Sequence, residues 1–189
     1  MNGVAERLEQ GIAVADIGCG HGASTIHLAR TYPRSRFVGI DPHAGSIEAA
    51  RKHAADAGVT DRVVFERATA KELSGSYGLV GFFDCLHDLG DPIGALRAVA
   101  DHLDDDGVVL LVEPNAGDSV SDNLNPVGAA YYGFSTLLCT PNALAQEADV
   151  VLGTQAGQAR LTEVARQAGF SRLRRVAETP FNMVLEVKR

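Results

Sequence analysis

The stretch "VADIGCGHGAST", Val14–Thr25, ends a short apolar run with glycines at positions 18, 20 and 22. Glycine lets the backbone pass close to a ligand, and a helix that begins near Ala23 would offer free N–H groups to an anion. The segment also satisfies the loose dinucleotide pattern G-x-G-x-x-G/A, which is weak evidence alone. A dinucleotide site, a site for a nucleoside that carries an amino acid, and a tight turn without a ligand all stay open here.

From residue 12 onward, strand-like and helix-like segments alternate. Strands are predicted at 12–17, 36–41, 62–68, 77–84, 107–113, 171–178 and 181–189, and helices at 23–33, 45–58, 92–103 and 161–170. This alternation indicates parallel strands joined by helical crossovers. Only Thr179 and Pro180 separate the last two strands, which is too short for a crossover. We therefore predict an α/β fold: a doubly wound, Rossmann-like sheet of seven strands, mostly parallel with an antiparallel last strand.

Residues 1–189 are expected to form a single domain, because a chain of this length builds one core. Residues 114–156 break the alternation and contain too many apolar side chains to be simply disordered. We expect one or two helices in this insertion, covering the substrate crevice. Its apolar side chains form either a substrate wall or a surface that packs on the sheet or on another subunit: Tyr131, Tyr132, Phe134, Leu137 and Leu138.

Composition excludes several classes of protein. The net charge of −7 argues against a nucleic-acid partner. No apolar run is long enough to span a membrane, and the first residues do not resemble a secretion signal, so we expect a cytoplasmic protein without a membrane partner. The cysteines Cys19, Cys85 and Cys139 are far apart and form no CxxC pair, which predicts free thiols and no metal site.

Two acidic residues narrow the choice among these classes of ligand. Asp41 ends the second predicted strand, where a carboxylate accepts both hydroxyls of a ribose, as in NAD enzymes and methyltransferases. Asp16 lies inside the first strand, where a dinucleotide fold normally has an apolar residue. A carboxylate there suits a ligand with an ammonium or sulfonium group better than a pyrophosphate. An NAD-dependent oxidoreductase is therefore the less favoured alternative.

"VADIGCGHGAST" followed by "FVGIDPH" resembles motifs I and II of the class I S-adenosylmethionine-dependent methyltransferases. The resemblance implies that S-adenosylmethionine is the cofactor, with Asp16 near its amino group and Asp41 on its ribose. Where the family commonly has Gly-Asp-Ala after strand three, with the Asp bonded to adenine, this chain has Ala68, Thr69 and Ala70, and Thr69 can accept or donate one hydrogen bond there. The cofactor-binding residues expected from the resemblance are Asp16, Gly18, Cys19, Gly20, Gly22, Asp41, Pro42, Thr69, Ala70, Phe83 and Asp84.

The segment "FFDCLHDLGDP", residues 82–92, resembles the LHDW segment of small-molecule O-methyltransferases of the plant type. The resemblance makes His87 the general base and Glu113 an acid that orients it. An imidazole with a pKa of about 6.5 is suited to take the proton of a phenol near neutral pH. A second family acid falls near Gln155, which is no acid. Alternatively, His87 and Asp88 simply begin a helix, with Asp88 or Asp91 as its N-cap.

"CLHDLGDP", "LLVEP" and the sequence of 122–144 most resemble the catalytic half of actinobacterial methyltransferases with a winged-helix domain in front. In those relatives the front domain mediates dimerisation and helps cover the substrate pocket. About eleven residues precede the first strand, so we expect that domain to be absent, whether the chain is a stand-alone core or part of a longer one. The expected function is in-line methyl transfer to a small-molecule acceptor, at oxygen; a homodimer and a cofactor-binding core without activity stay open.

Overall fold

The computed structural model describes residues 3–189, which contain seven strands and seven α-helices. The strands are β1 Ala13–Ile17, β2 Arg36–Asp41, β3 Val63–Arg67, β4 Tyr77–Phe83, β5 Leu103–Pro114, β6 Arg172–Glu178 and β7 Asn182–Lys188. The helices are α1 Val4–Gln10, α2 Ala23–Thr31, α3 Ala44–Asp56, α4 Pro92–Asp101, α5 Pro126–Phe134, α6 Thr140–Ala145 and α7 Gln158–Gln167. Every predicted strand is present, although β5 begins earlier than expected and α1 was not predicted.

The strands form one sheet in the order β3-β2-β1-β4-β5-β7-β6. β1 pairs in parallel with β2 and with β4, and β2 pairs in parallel with β3. β7 runs antiparallel to β6, with a register irregularity between Arg175 and Ala177. The predicted fold class is therefore confirmed. The strand order reverses between β1 and β4, and ligands of such sheets bind beside the carboxyl ends of the strands at this point.

The chain folds into two compact units. The first unit contains the residues up to Phe83 together with Asp101–Leu110, and the second contains Asp84–Ala100 and Leu111–Arg189. The first unit has a core of apolar side chains from its helices and strands, among them Val14, Phe37, Ile47, Phe65 and Leu79. The fully buried side chains of the second unit include Leu86, Leu96, Leu111, Leu161 and Met183. That the chain folds as one domain stays a prediction.

The insertion contains two helices, as expected. Asn125 caps α5 by accepting a hydrogen bond from the N–H of Gly128 (2.9 Å), and Pro126 follows at the first helical position. α5 continues through a π-helical turn, Ser135–Cys139, directly into α6. Phe134, Leu137 and Leu138 are exposed, so these three side chains do not pack on the sheet. That the insertion covers a substrate crevice stays a prediction.

Across residues 3–189, none of the helices combines the length and the apolar character that crossing a membrane requires.

Candidate active site

Asp16 is a buried carboxylate in β1, with only 1% of its surface exposed. Its Oδ2 accepts hydrogen bonds from the hydroxyls of Ser24 and Thr25 in the first turn of α2, each at 2.6 Å. Its Oδ1 is also buried but has no hydrogen-bond partner. Burial raises the pKa of Asp16 to about 6, against the opposing effect of the two hydroxyls. An unpartnered, buried carboxylate oxygen is suited to a cationic group on a ligand.

The loop between β1 and α2 is built on glycines with left-handed backbone. Gly20 has a φ of 52° and open space around its Cα, and Gly22 has a φ of 80°. A Cβ on Gly22 would lie 2.5 Å from the ring of Phe65, so a side chain there would collide with the core. The N–H of Cys19 is bonded to the carbonyl of Ile40 (3.0 Å), and its carbonyl accepts from Gly22, so the backbone of Cys19 is engaged within the protein.

Asp41 connects this loop to the end of β2. One carboxylate oxygen accepts the N–H of Gly20 (3.0 Å), and the other accepts the N–H of His43 (2.8 Å). Each carboxylate oxygen has two lone-pair positions, so Asp41 keeps capacity to accept further hydroxyl groups. His43 itself caps α3, since its ring accepts the N–H of Ser46. The structure therefore brings Asp16, the glycine loop and Asp41 into one unit.

Pro42 and Thr69 line one cavity of about 340 Å³, together with Arg67, Ala68 and Glu72. The hydroxyl of Thr69 donates to Glu72 (2.9 Å), and the N–H of Thr69 donates to the same oxygen (2.8 Å). The Thr69 oxygen can still accept one hydrogen bond from a ligand. Both apolar and polar groups line this cavity. Pro42, which forms part of its wall, directly follows Asp41 in the chain.

Two other predicted cofactor residues of the first unit do not line this cavity. Ala70 is buried in the short 3-10 turn Ala70–Glu72. Phe83 lines a separate apolar cavity of about 250 Å³ with Val4 and Leu8 of α1. Phe83 therefore does not line the cavity of Pro42 and Thr69.

His87 and Glu113 form a buried pair in the second unit. His87 lies in a 3-10 turn, Leu86–Asp88, a few residues after β4, and Glu113 lies near the end of β5. The Nδ1 of His87 is 2.6 Å from Oε2 of Glu113, while Oε1 of Glu113 accepts the N–H of Leu86 (2.9 Å). Because a carboxylate only accepts, Nδ1 must carry the proton in the neutral ring, and Nε2 keeps its lone pair.

The electrostatic surroundings of this pair favour a proton on the imidazole. Burial lowers the pKa of His87, but the hydrogen bond and negative charge of Glu113 outweigh it, and the net pKa is raised above 6.5. Asp88 and Asp84 act in the same direction. Burial raises the pKa of Glu113, and the hydrogen bonds from His87 and Leu86 oppose that rise. An imidazole in this setting is a stronger base than a free histidine.

The helix-cap interpretation holds for Asp91, which caps α4, but not for Asp88, which lies with His87 in the separate 3-10 turn Leu86–Asp88. Asp91 accepts the N–H of Gly94 (2.8 Å), and α4 begins at Pro92. His87 lies outside α4, 4% exposed and paired with Glu113.

Asp84 follows β4 with a φ of 59°, a strained conformation for a residue other than glycine, and it accepts a hydrogen bond from Asn182 (3.3 Å).

Sequence reasoning missed the partners of several of these residues. Ser24 and Thr25 satisfy Asp16, and two hydroxyl residues directly after a glycine loop were the available signal. Gln155, where the family has a second acid, donates weakly to the carbonyl of Gly128 (3.5 Å), and its buried Oε1 has no partner. Cys139 lies close to His87 and Asp88, which no spacing in the sequence indicated.

Comparison with protein families gives one match over most of the chain. The family described as "Methyltransferase domain" matches residues 2–171. Among curated proteins, the ubiquinone biosynthesis O-methyltransferase of Azorhizobium caulinodans is 34% identical over 116 residues, which cover 60% of this chain and 38% of that protein.

Solved structures give the same fold. An O-methyltransferase family protein from Burkholderia thailandensis superposes with a TM-score of 0.75 at 19% identity, over 96% of this chain and 52% of that one. The O-methyltransferase NcsB1 from neocarzinostatin biosynthesis, in complex with S-adenosylhomocysteine and 1,4-dihydroxy-2-naphthoic acid, superposes with a TM-score of 0.71 at 23% identity, over 93% of this chain and 48% of that one. The chain therefore spans about half the length of these two solved proteins.

Proposed function

Since this chain belongs to the methyltransferase domain family, we propose that it transfers a methyl group from S-adenosylmethionine to a hydroxyl oxygen of a small organic acceptor, with His87 as general base. The observation that carries the proposal is the buried His87–Glu113 pair, in which a carboxylate 2.6 Å from Nδ1 leaves Nε2 as the basic atom. The O-methyltransferase names of a curated relative and of the solved neighbours favour oxygen as the acceptor atom.

The first unit has groups that fit this cofactor. The unpartnered Oδ1 of Asp16 suits the ammonium of its amino-acid part, and the open backbone at Gly20 permits close approach. Asp41 has acceptor capacity for the ribose hydroxyls, and Pro42 and Thr69 line a cavity suited to the adenine. When bound, the cofactor supplies an electrophilic methyl group on a positively charged sulfur.

His87 and Glu113 perform the proton chemistry of the proposed reaction. Nε2 of His87 takes the proton of the acceptor hydroxyl as the oxygen forms its bond to the methyl carbon and the carbon–sulfur bond breaks. Glu113 keeps the proton on Nδ1 and stabilises the imidazolium that results. Both side chains are buried, so little water surrounds them. The electrostatic interaction between His87 and Glu113 is stronger for that reason.

The acceptor class follows from the base. A phenol has a pKa of about 10, within reach of an imidazole whose pKa lies above its usual value. An aliphatic alcohol is a far weaker acid, so we expect aromatic hydroxyl compounds to be better acceptors. NcsB1 was solved with a dihydroxynaphthoic acid, which makes hydroxynaphthoates and related phenols the first compounds to test.

Calorimetric titration of the purified protein with S-adenosylmethionine, S-adenosylhomocysteine and NADH tests the first half of this proposal. We expect both sulfur compounds to bind and NADH not to bind. Binding of NADH without binding of S-adenosylmethionine would contradict the proposal and favour the oxidoreductase alternative.

A panel of phenols, amines and thiols, assayed for S-adenosylhomocysteine release and methylated product, tests the second half. We expect O-methylated phenols. Binding of the cofactor without product from any acceptor would contradict an enzymatic role and favour a cofactor-binding core.

A further inference from the structure

A second potential ligand site surrounds the free nitrogen of His87. We propose that Nε2 of His87, a carboxylate oxygen of Asp88 and the sulfur of Cys139 bind a Zn²⁺ ion. One donor atom from each of the three residues lies within 4.8 Å of the other two, and all three residues belong to the second unit. Imidazole, carboxylate and thiolate are the three donor types that zinc prefers in proteins.

The distances are close to those of a tetrahedral site. Zinc binds nitrogen and oxygen at about 2.0–2.2 Å and sulfur at about 2.3 Å, so two ligands at a tetrahedral angle lie about 3.4–3.6 Å apart. Nε2 of His87 and Oδ1 of Asp88 are already 3.6 Å apart. Cys139 would need to approach by about 1.2 Å at most, given the 4.8 Å limit. The fourth position is left for water, as in zinc sites with three protein ligands.

One donor atom has no hydrogen-bond partner, and its nearest cationic contact is Nε2 of His87 at 3.6 Å. Oδ1 of Asp88 is buried and has no hydrogen-bond partner, although the residue as a whole is half-buried. A buried carboxylate oxygen without a donor is costly, and a bound cation is one way to satisfy it.

Surrounding hydrogen bonds hold His87 and the backbone of Asp88 in place. Glu113 binds Nδ1 of His87, and histidines that bind a metal commonly donate their second nitrogen to a carboxylate in this way. The carbonyl of Asp88 accepts from the side-chain amides of Asn142 (3.2 Å) and Gln146 (3.0 Å), which fixes it against α6. Cys139 ends the π-helical turn before α6, and such turns occur often at functional sites.

Metal binding at this site must release a proton. A cysteine thiol has a pKa of about 8.5, so without metal it is protonated at neutral pH. Since zinc binds the thiolate, the affinity should increase with pH, and one proton should be released for each ion bound.

Zinc at this site would also occupy the atom that the proposed reaction uses. This consequence rests on the proposed function: Nε2 of His87 cannot bind zinc and accept the acceptor's proton at the same time. We therefore expect zinc to inhibit methyl transfer, and the inhibition to require Cys139.

Titration of the full chain with Co²⁺, followed by absorption spectroscopy without cofactor or acceptor, tests the site independently of activity. We expect a thiolate-to-cobalt charge-transfer band, its loss on addition of Zn²⁺, and stoichiometry of one. Cys139→Ser should remove the band and weaken zinc binding by more than the roughly 10- to 100-fold that loss of an outer-shell partner costs. Cys85→Ser is the matched control and should keep both the charge-transfer band and the zinc affinity of the wild type.

Two results would overturn the site. One is a cobalt spectrum without a thiolate band, and the other is an equal zinc affinity in the wild type and in a folded Cys139→Ser protein, with folding checked by circular dichroism. Assays of methyl transfer with and without Zn²⁺ test the consequence. Zinc should inhibit the wild type and spare Cys139→Ser, whereas an uninhibited wild type that gives the cobalt band would contradict only the exclusion between metal and base.

Discussion

Replacement of His87 by glutamine or alanine is expected to lower kcat for O-methylation by about 10²- to 10⁴-fold, the range that general-base catalysis contributes. The acceptor hydroxyl would then have to lose its proton to water. Cofactor affinity should stay near that of the wild type, because the cofactor residues proposed in the first unit are untouched. Product formation with a phenolic acceptor measures kcat, and calorimetry measures cofactor affinity.

Two further variants sharpen this prediction. His27 is exposed on α2, so His27→Gln is a matched control that should keep full activity. Glu113→Gln should lower kcat nearly as much as the loss of His87. The glutamine amide can donate a hydrogen bond to Nδ1, which favours the tautomer in which Nε2 carries the proton. A His87→Ala protein with kcat within about threefold of the wild type would show that no base is needed at this position, since a general base contributes about 100-fold or more.

Asp16→Asn is expected to weaken binding of S-adenosylmethionine by about 100-fold or more. Loss of one partner of a buried charge pair costs about 3–5 kcal/mol, and each 1.4 kcal/mol is about tenfold in affinity. The Asn oxygen can still accept from Ser24 and Thr25, which would turn its amide group toward the position of the unpartnered Oδ1. Calorimetry measures the dissociation constant.

The same variant should have the opposite effect on stability. Because the pKa of Asp16 rises from 3.8 to about 6 in the folded protein, the free wild type loses stability as pH increases through this window. Asparagine has no charge to bury, so without cofactor the variant should melt at a higher temperature than the wild type at pH 7. That difference should shrink at a pH below 3.8. A variant that binds the cofactor normally would contradict the assigned role, and a lower melting temperature at pH 7 would contradict the stated cost of burial.

Most of the fold could be predicted because its signals are local. Alternating strand and helix patterns gave the order of elements, and the short link at Thr179 and Pro180 required an antiparallel pair. α1 was missed because a seven-residue helix between two glycines has little periodicity. The early start of β5 was missed because three aspartates follow Leu103, and charged runs are typical of loops.

The candidate site also has residues that the sequence alone predicts and residues whose proximity depends on the fold. Asp16 and Asp41 stand out by position in the sequence, whereas the hydroxyls that bind Asp16 depend on the turn that the left-handed glycines allow. The resemblance to O-methyltransferases suggested that Glu113 orients His87, and the structure brings the two side chains together. Their catalytic roles stay predictions. The proximity of Cys139 could not be predicted, because it depends on how the insertion packs against the turn at His87.

The dependence of the methyl-transfer rate on pH, measured under single-turnover conditions, tests the role of His87 most directly. Only the neutral imidazole accepts a proton, so the wild-type rate should increase with pH through the raised pKa of His87, above 6.5, and then level off. In Glu113→Gln the negative charge that raises this pKa is lost, so the inflection should shift to lower pH and the plateau should fall. A rate that increases up to the acceptor's own pKa of about 10, with the same profile in both proteins, would contradict the account.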